Sequence, residues 1–305
     1  MSRITDKVIK FILLTIGFFS SKISLSSRLK FGRALGTMLR NFSKKRQRIT
    51  YDNIRHAFPE YSDAQCQDLV KASYANLGTV LVEIPCMKYF SEDDYQKYVK
   101  FENSDVIHKN RDKGMILMSG HFGNWEFTST AVGMFHNIPV SMIVKHQKNK
   151  YVDEIINEYR TKHGNQVVFM DKAARVIVKT IRSGGVVAII ADQSARRNNG
   201  IVTEFFGREV LTYAAPAELA LKFKVPIICG FAHRDSEGVY HVKMSELKSD
   251  DLENSDEGIL ELTKRHVKAL EDAIREQPEM WSWQHRRWKY NPGKTTDLYK
   301  ESGLK

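Results

Sequence analysis

The chain has 305 residues, 42% of them hydrophobic, enough to bury one sizeable core with a small helical extension. Its formal net charge of +11 lies in the N-terminal stretch: residues 1–50 hold twelve of the 47 Lys/Arg against one of the 36 acids, Asp6. The body beyond is balanced, which excludes a uniformly basic protein. Cys66, Cys86 and Cys229 show no pairing or metal-ligand spacing and read as buried reduced thiols.

In chain order, the first feature is the apolar run Phe11–Ile12–Leu13–Leu14–Thr15–Ile16–Gly17–Phe18–Phe19, flanked by Lys7, Lys10 and Lys22. A nucleic-acid arm has no use for Leu13–Leu14 and Phe18–Phe19, whereas a membrane anchor does, so nucleic acid is excluded as a partner. The run falls short of the roughly 20 apolar residues a bilayer-spanning helix needs; an interfacial helix and a short span with snorkelling lysines fit equally. No small-x-small site follows it, which argues against a cleaved signal peptide, and the positive charges after it favour a cytoplasmic location for the rest. Leu29, Phe31, Leu35, Met38, Leu39 and Phe42, set among Arg28, Lys30, Arg33 and Arg40, predict a second amphipathic helix. These features divide the chain into a basic membrane anchor over 1–48 and an α/β domain over 49–305.

Residues 49–90 read as helical, broken at Phe58–Pro59–Glu60 and restarted at Ser62. Strand and helix signals then alternate. Strands are predicted at Val99–Phe101, Gly114–Met118, Pro139–Ile143, Gln166–Phe169, Val186–Ile190, Pro226–Phe231 and Tyr240–Met244. Helices are predicted at Trp125–Phe135, Lys150–Lys162, Ala173–Arg182, Ala214–Lys222 and Ser255–Gln277. The alternation implies an α/β fold with a mainly parallel sheet flanked by helices.

One segment carries chemistry: Gly120–His121–Phe122–Gly123–Asn124–Trp125–Glu126, between the apolar strand Met115–Met118 and a helix. Open α/β sheets bind ligands at such strand ends. His121 can take a proton from a hydroxyl, and Glu126 can orient the ring if Gly123 and Asn124 form a tight turn, with Asn124 a candidate helix N-cap. No serine or cysteine nucleophile is nearby, so the chemistry expected is direct attack of a substrate hydroxyl on an activated acyl group. The absence of a Gly-x-Ser-x-Gly elbow counts against a hydrolase.

The His121-x4-Glu126 segment resembles the signature of the bacterial lipid A biosynthesis (lauroyl/myristoyl) acyltransferases. Further similar features follow in order: Ala191–Asp192–Gln193 before the loop Arg196–Arg197–Asn198–Asn199–Gly200, then Phe205–Phe206–Gly207, Thr212 and Pro216–Ala217–Glu218–Leu219–Ala220, and the closing stretch Gln277 to Lys289. The Asn53–Ile54 to Phe58–Pro59–Glu60 stretch and the apolar N-terminus fit as well, so the resemblance covers nearly the whole chain. One departure is Ala215, where the family usually has Gly.

The resemblance implies a glycerolipid-acyltransferase-like fold and an enzyme at the bacterial inner membrane, facing the cytoplasm. It would move a fatty acyl group from acyl carrier protein to a hydroxyl of a lipid A precursor, without metal or cofactor. His121 would be the general base and Glu126 its orienting partner. Oxyanion donors would be N–H groups of the Gly123–Asn124 turn, or Arg160, which matches a family arginine. Asp192 and Gln193 would bind the sugar, support the dyad or cap their loop. Arg196, Arg197 and Arg208 are candidates for lipid or phosphopantetheine phosphates, or simply solvated charges. Core packing is the expected role of Trp281, Trp283 and Trp288, and His285 reads as structural. The rival readings are an acyltransferase with another acceptor, such as a lysophospholipid, and a non-catalytic lipid-binding protein.

Overall fold

The computed structural model describes residues 3–196, 200–289 and 299. The N-terminal region forms α1 (Arg3–Lys22), α2 (Leu25–Phe42), α3 (Lys44–Ala57) and α4 (Asp63–Cys86). Ser24 and Ser62 cap α2 and α4 through their side chains, and Gln65 completes a capping box at Ser62, which is why the helix restarts there after Phe58–Pro59. The division expected at residue 48 falls inside α3.

Two helices of the apolar N-terminal stretch, α1 and α2, pack on α4. Gly32 and Gly36 of α2 meet Gly78 of α4 so closely that a Cβ on Gly36 would lie 2.0 Å from the Tyr74 carbonyl oxygen, and one on Gly78 would lie 2.2 Å from that of Gly32. Small residues four apart on one helix face let the two backbones touch. The opposite faces of α1 and α2 leave Phe11, Phe19 and Phe42 exposed, at 71%, 64% and 83%.

After α5 (Glu92–Tyr98) the chain builds β1 (Val99–Glu102), α6 (Asp105–Lys109), β2 (Met115–Ser119), α7 (Trp125–His136), β3 (Val140–Val144), α8 (Lys150–Thr161), β4 (Gln166–Phe169), α9 (Ala173–Arg182) and β5 (Val186–Ile190). A hairpin follows, β6 (Gly200–Phe205) and β7 (Arg208–Tyr213), then α10 (Ala215–Phe223), β8 (Ile227–Arg234), β9 (Tyr240–Glu246) and α11 (Asp256–Glu276). The main sheet has seven strands in the order β1-β9-β8-β2-β5-β3-β4. Every pairing in it is parallel except β8 with β9, so the mainly parallel α/β expectation holds.

Strand side chains alternate between the two faces, and each face buries its own core. Ile116 and Met118 of β2 join Val187, Ile227 and Cys229 under α9, α10 and α11. Met115 and Leu117 join Val186 and Ile228 under α7 and α8. Helices on both faces bury most of β2 and the start of β5, which fixes their register, with Ser119 opposite Ile190. That register decides which loop residues meet at the strand ends. All three cysteines are buried free thiols, and burial pushes those of Cys86 and Cys229 up to about 12.

Candidate active site

Because Ser119 and Ile190 are register partners, the residues just past them emerge side by side, and these are His121 and Asp192. Nδ1 of His121 stands 2.7 Å from Oδ1 of Asp192, and the His121 backbone N–H donates to Oδ2 at 2.8 Å. Trp281 Nε1 donates to the same Oδ2 at 2.9 Å. Asp192 is buried, and burial alone would raise its pKa. The His121 charge, its two hydrogen bonds and the Trp281 donor win, and hold the carboxyl well below its ordinary range. An ionised carboxylate only accepts hydrogen bonds, so the proton between the two groups sits on Nδ1. The neutral ring therefore keeps its lone pair on Nε2.

A quarter of the His121 side chain, 26%, is open, and its ring edge meets Trp125 with centroids 4.8 Å apart. Burial works against a charge on this ring, but the charge and hydrogen bond of Asp192, with a further contribution from the Glu126 charge, raise its pKa overall. A base must be deprotonated to act, so a raised pKa moves the onset of activity upward. We expect kcat/KM to fall as pH drops through a value above the ordinary imidazole value of about 6.5. A pH–rate profile with its acid limb below that value contradicts this.

The 120–123 loop is held from the C-terminal side of the chain. Phe122 bridges Trp281 in antiparallel fashion, the Gly123 N–H donates to the Met280 carbonyl at 2.9 Å, and the Ser282 N–H donates to the His121 carbonyl at 3.0 Å. Gly123 has a φ of 56°, and a Cβ there would lie 2.4 Å from the Ala232 carbonyl oxygen, so only glycine fits. Asn76 and Asn53 in turn bind the carbonyls of Met280 and Trp283. The closing motif and the His121 motif are thus two halves of one loop pair. Trp281, Trp283 and Trp288 are buried in the core, as expected.

Glu126 does not hold the His121 ring as expected. It lies buried in the first turn of α7 and is clamped by Arg160, whose Nε donates to Oε2 at 2.8 Å and whose Nη2 donates to Oε1 at 2.5 Å. The reason is helical geometry: the turn that carries His121 leaves the helix axis, while Glu126 follows α7 toward α8, where Arg160 sits. Arg160 also reaches Asn157, so it is a buried structural cation as well as a neighbour of the site. The Gly123 N–H, expected to be open to an oxyanion, is occupied by Met280. Asn124 does cap α7, accepting from the Phe127 N–H at 3.1 Å, while its Nδ2 donates to Glu83 at 3.0 Å. That side chain is committed as well.

Gln193 is half-buried and Arg196 exposed on the loop after β5, while Arg197, Asn198 and Asn199 lie outside the described residues. Arg208 donates to the His56 carbonyl, so it serves the hairpin. Two features escaped sequence reasoning. One is the role of Trp281 as a donor to Asp192. The other is the buried cluster of Glu83, Arg234 and Tyr240 beneath Asn124, in which Glu83 Oε2 accepts from Tyr240 at 2.7 Å and Arg234 at 3.0 Å. A usable signal for the His121–Asp192 pair existed: each residue stands two positions past the end of an apolar strand.

An imidazole fixed at Nδ1 by a buried carboxylate, at the carboxyl ends of parallel strands, lies where open α/β folds bind their ligands and can accept a proton at Nε2. The chain belongs to the bacterial lipid A biosynthesis acyltransferase family, whose sequence profile matches residues 1–290. It is 22% identical over 272 residues to the lipid A biosynthesis palmitoleoyltransferase of Escherichia coli K12, covering 88% of this chain and 87% of that one. It is 20% identical over 268 residues to the lauroyltransferase of the same organism, covering 86% and 85%. A lipid A biosynthesis acyltransferase of Haemophilus influenzae is 21% identical over 279 residues, covering 90% and 84%.

Proposed function

We propose that this acyltransferase moves a fatty acyl group from an acyl carrier protein thioester to a hydroxyl of a lipid A precursor. The observation that carries the reading is the His121 ring, locked at Nδ1 by Asp192, with no hydrogen-bond partner on Nε2 among the described residues. Nε2 takes the proton of the acceptor hydroxyl as its oxygen attacks the thioester carbonyl. The tetrahedral intermediate then expels the thiolate, which takes the proton back from His121. Asp192 keeps the proton on Nδ1 and offsets the imidazolium charge; the Glu126 carboxylate, neutralised by Arg160, adds a weaker field. The amino end of α7 begins beside the reacting centre and favours developing negative charge. A thioester is already activated, so the step requires neither metal nor cofactor.

Mass spectrometry of membrane lipids from a deletion strain tests this reading. Loss of one acyl chain from lipid A, restored by the gene, is the expected result. Unchanged lipid A with altered phospholipids would move the acceptor elsewhere.

The exposed apolar faces of α1 and α2, interleaved with Lys7, Lys22, Lys30 and Arg33, support a reading in which the enzyme docks on a membrane surface. No helix among the described residues is long and apolar enough to cross a membrane. Each basic residue near anionic lipid adds about 1 kcal/mol to docking, and the phenylalanines add burial. The double variant Phe11→Ser, Phe19→Ser should float with phosphatidylglycerol vesicles far less than the parent. Equal flotation of the two would contradict a membrane face here.

A further inference from the structure

Beside Asp192 lies a cavity of about 20 Å³ lined by Asp192, Arg287, His266 and apolar side chains that include Phe205, Phe231 and Leu270. His266 on α11 is buried, at 6% exposure, and among the described residues neither of its ring nitrogens has a hydrogen-bond partner. Arg287 is 1% exposed; its Nη1 donates to the Leu211 carbonyl at 2.9 Å and its Nη2 to Thr212 Oγ1 at 2.8 Å, but its Nε has no partner. Three polar groups thus border one small space, each with unused hydrogen-bonding capacity. A buried polar nitrogen left without a partner costs about 1–3 kcal/mol, so such groups are normally bridged. A space above about 10–15 Å³ with two to four polar neighbours has room and partners for a water.

We propose that ordered water in this cavity links Asp192 to Arg287 and His266, making Arg287 and His266 positioning residues for the His121–Asp192 pair. One water satisfies the set: it accepts from Arg287 Nε–H and donates one hydrogen to the Asp192 carboxylate and the other to the lone pair of a neutral His266. Burial and the Arg287 charge push His266 down to about 3, which keeps that lone pair available. Burial lowers Arg287 to about 10, and the Asp192 charge works to keep the guanidinium charged. The groups that face the pair are therefore Glu126 from α7, His266 from α11, and His285 and Arg287 from the closing segment; burial lowers His285 to about 4. Arg287 carries a positive charge that the Asp192 carboxylate stabilises. It tempers the pull of the carboxylate on the His121 proton and holds the carboxylate in place.

This rests on the general-base reading above, and the test separates the two. Acyl transfer from an acyl carrier protein thioester is measured with the full-length chain for His121→Ala, His266→Leu, Arg287→Met and Arg287→Lys, each checked by melting temperature. His266→Leu breaks no hydrogen bond to a protein group among the described residues, so a merely structural histidine predicts full activity and an unmoved pH profile. The proposal expects kcat to fall roughly tenfold at unchanged KM, with the melting temperature held, as the bridge is lost and the base drifts. Arg287→Met removes a cation, so the His121 pKa rises and the acid limb of kcat/KM moves up by about half a pH unit. Arg287→Lys restores its position. Should Arg287→Met fail to fold, His266→Leu still decides. Full activity and an unmoved profile in His266→Leu, with His121→Ala dead, overturn the bridge alone; activity in His121→Ala overturns the general-base reading instead. A changed preference for acyl length in His266→Leu with the same pH profile assigns the cavity to the acyl chain and also overturns the proposal.

Discussion

Replacing Asp192 with Asn should lower kcat by about 10² or more while leaving the fold intact. The amide is nearly isosteric and still meets the His121 N–H and the Trp281 indole through its oxygen. Its other atom is an NH₂ group facing Nδ1, so the proton of the neutral ring moves to Nε2, the atom that must receive the acceptor's proton. The base is thus capped by the wrong tautomer, and the imidazolium formed during transfer loses its counter-charge. Steady-state kinetics with an acyl carrier protein thioester read this directly. A variant within a few fold of the parent would mean that Asp192 merely closes its loop.

Glu126→Gln should act chiefly on stability. It leaves Arg160 as a buried cation with no opposite charge, and breaking a buried pair in this way costs about 3–5 kcal/mol. Both side chains are nearly closed to solvent, 8% and 11% exposed, so water offers little screening. The double variant Glu126→Gln, Arg160→Met should recover most of the loss, because an apolar side chain of similar length needs no partner. Chemical denaturation of the three variants checks this. A single variant as stable as the parent would show that the pair is solvated in solution. Activity in the double variant should exceed that of Asp192→Asn, since Glu126 touches His121 only through its field.

Most of the fold was legible because the apolar strands are short, separate and followed by amphipathic helices. The predicted strands all exist within a few residues, as do the helices from α7 to α11. The hairpin β6–β7 was not seen. Its turn is Phe206–Gly207, with φ of 52° and 66°, and an aromatic residue at the first left-handed position gives no hairpin signal. Phe206 tolerates it because its N–H donates to Glu271 at 2.6 Å and its ring packs edge-on against Phe58. The reversal of β9 was hidden for a similar reason: an alternating pattern does not reveal a tight return through Asp235 and Gly238.

At the site, the sequence pointed to His121 but paired it with the nearest acid along the chain. The true neighbour, Asp192, is distant in sequence and adjacent through the β2–β5 register. Local spacing carries no knowledge of which strands lie side by side. The motif residues around Trp281 were likewise visible as a motif and silent as to role, since the bridge to Phe122 exists only once the sheet is formed.

The most direct test of the central claim is the single-turnover rate of acyl transfer by purified His121→Ala, compared with the parent at the same enzyme concentration. A positioned general base contributes about 10²–10⁴-fold, so the expected result is a loss of that size in a protein with unchanged melting temperature. Transfer at the parent rate would contradict a mechanism that runs through this imidazole.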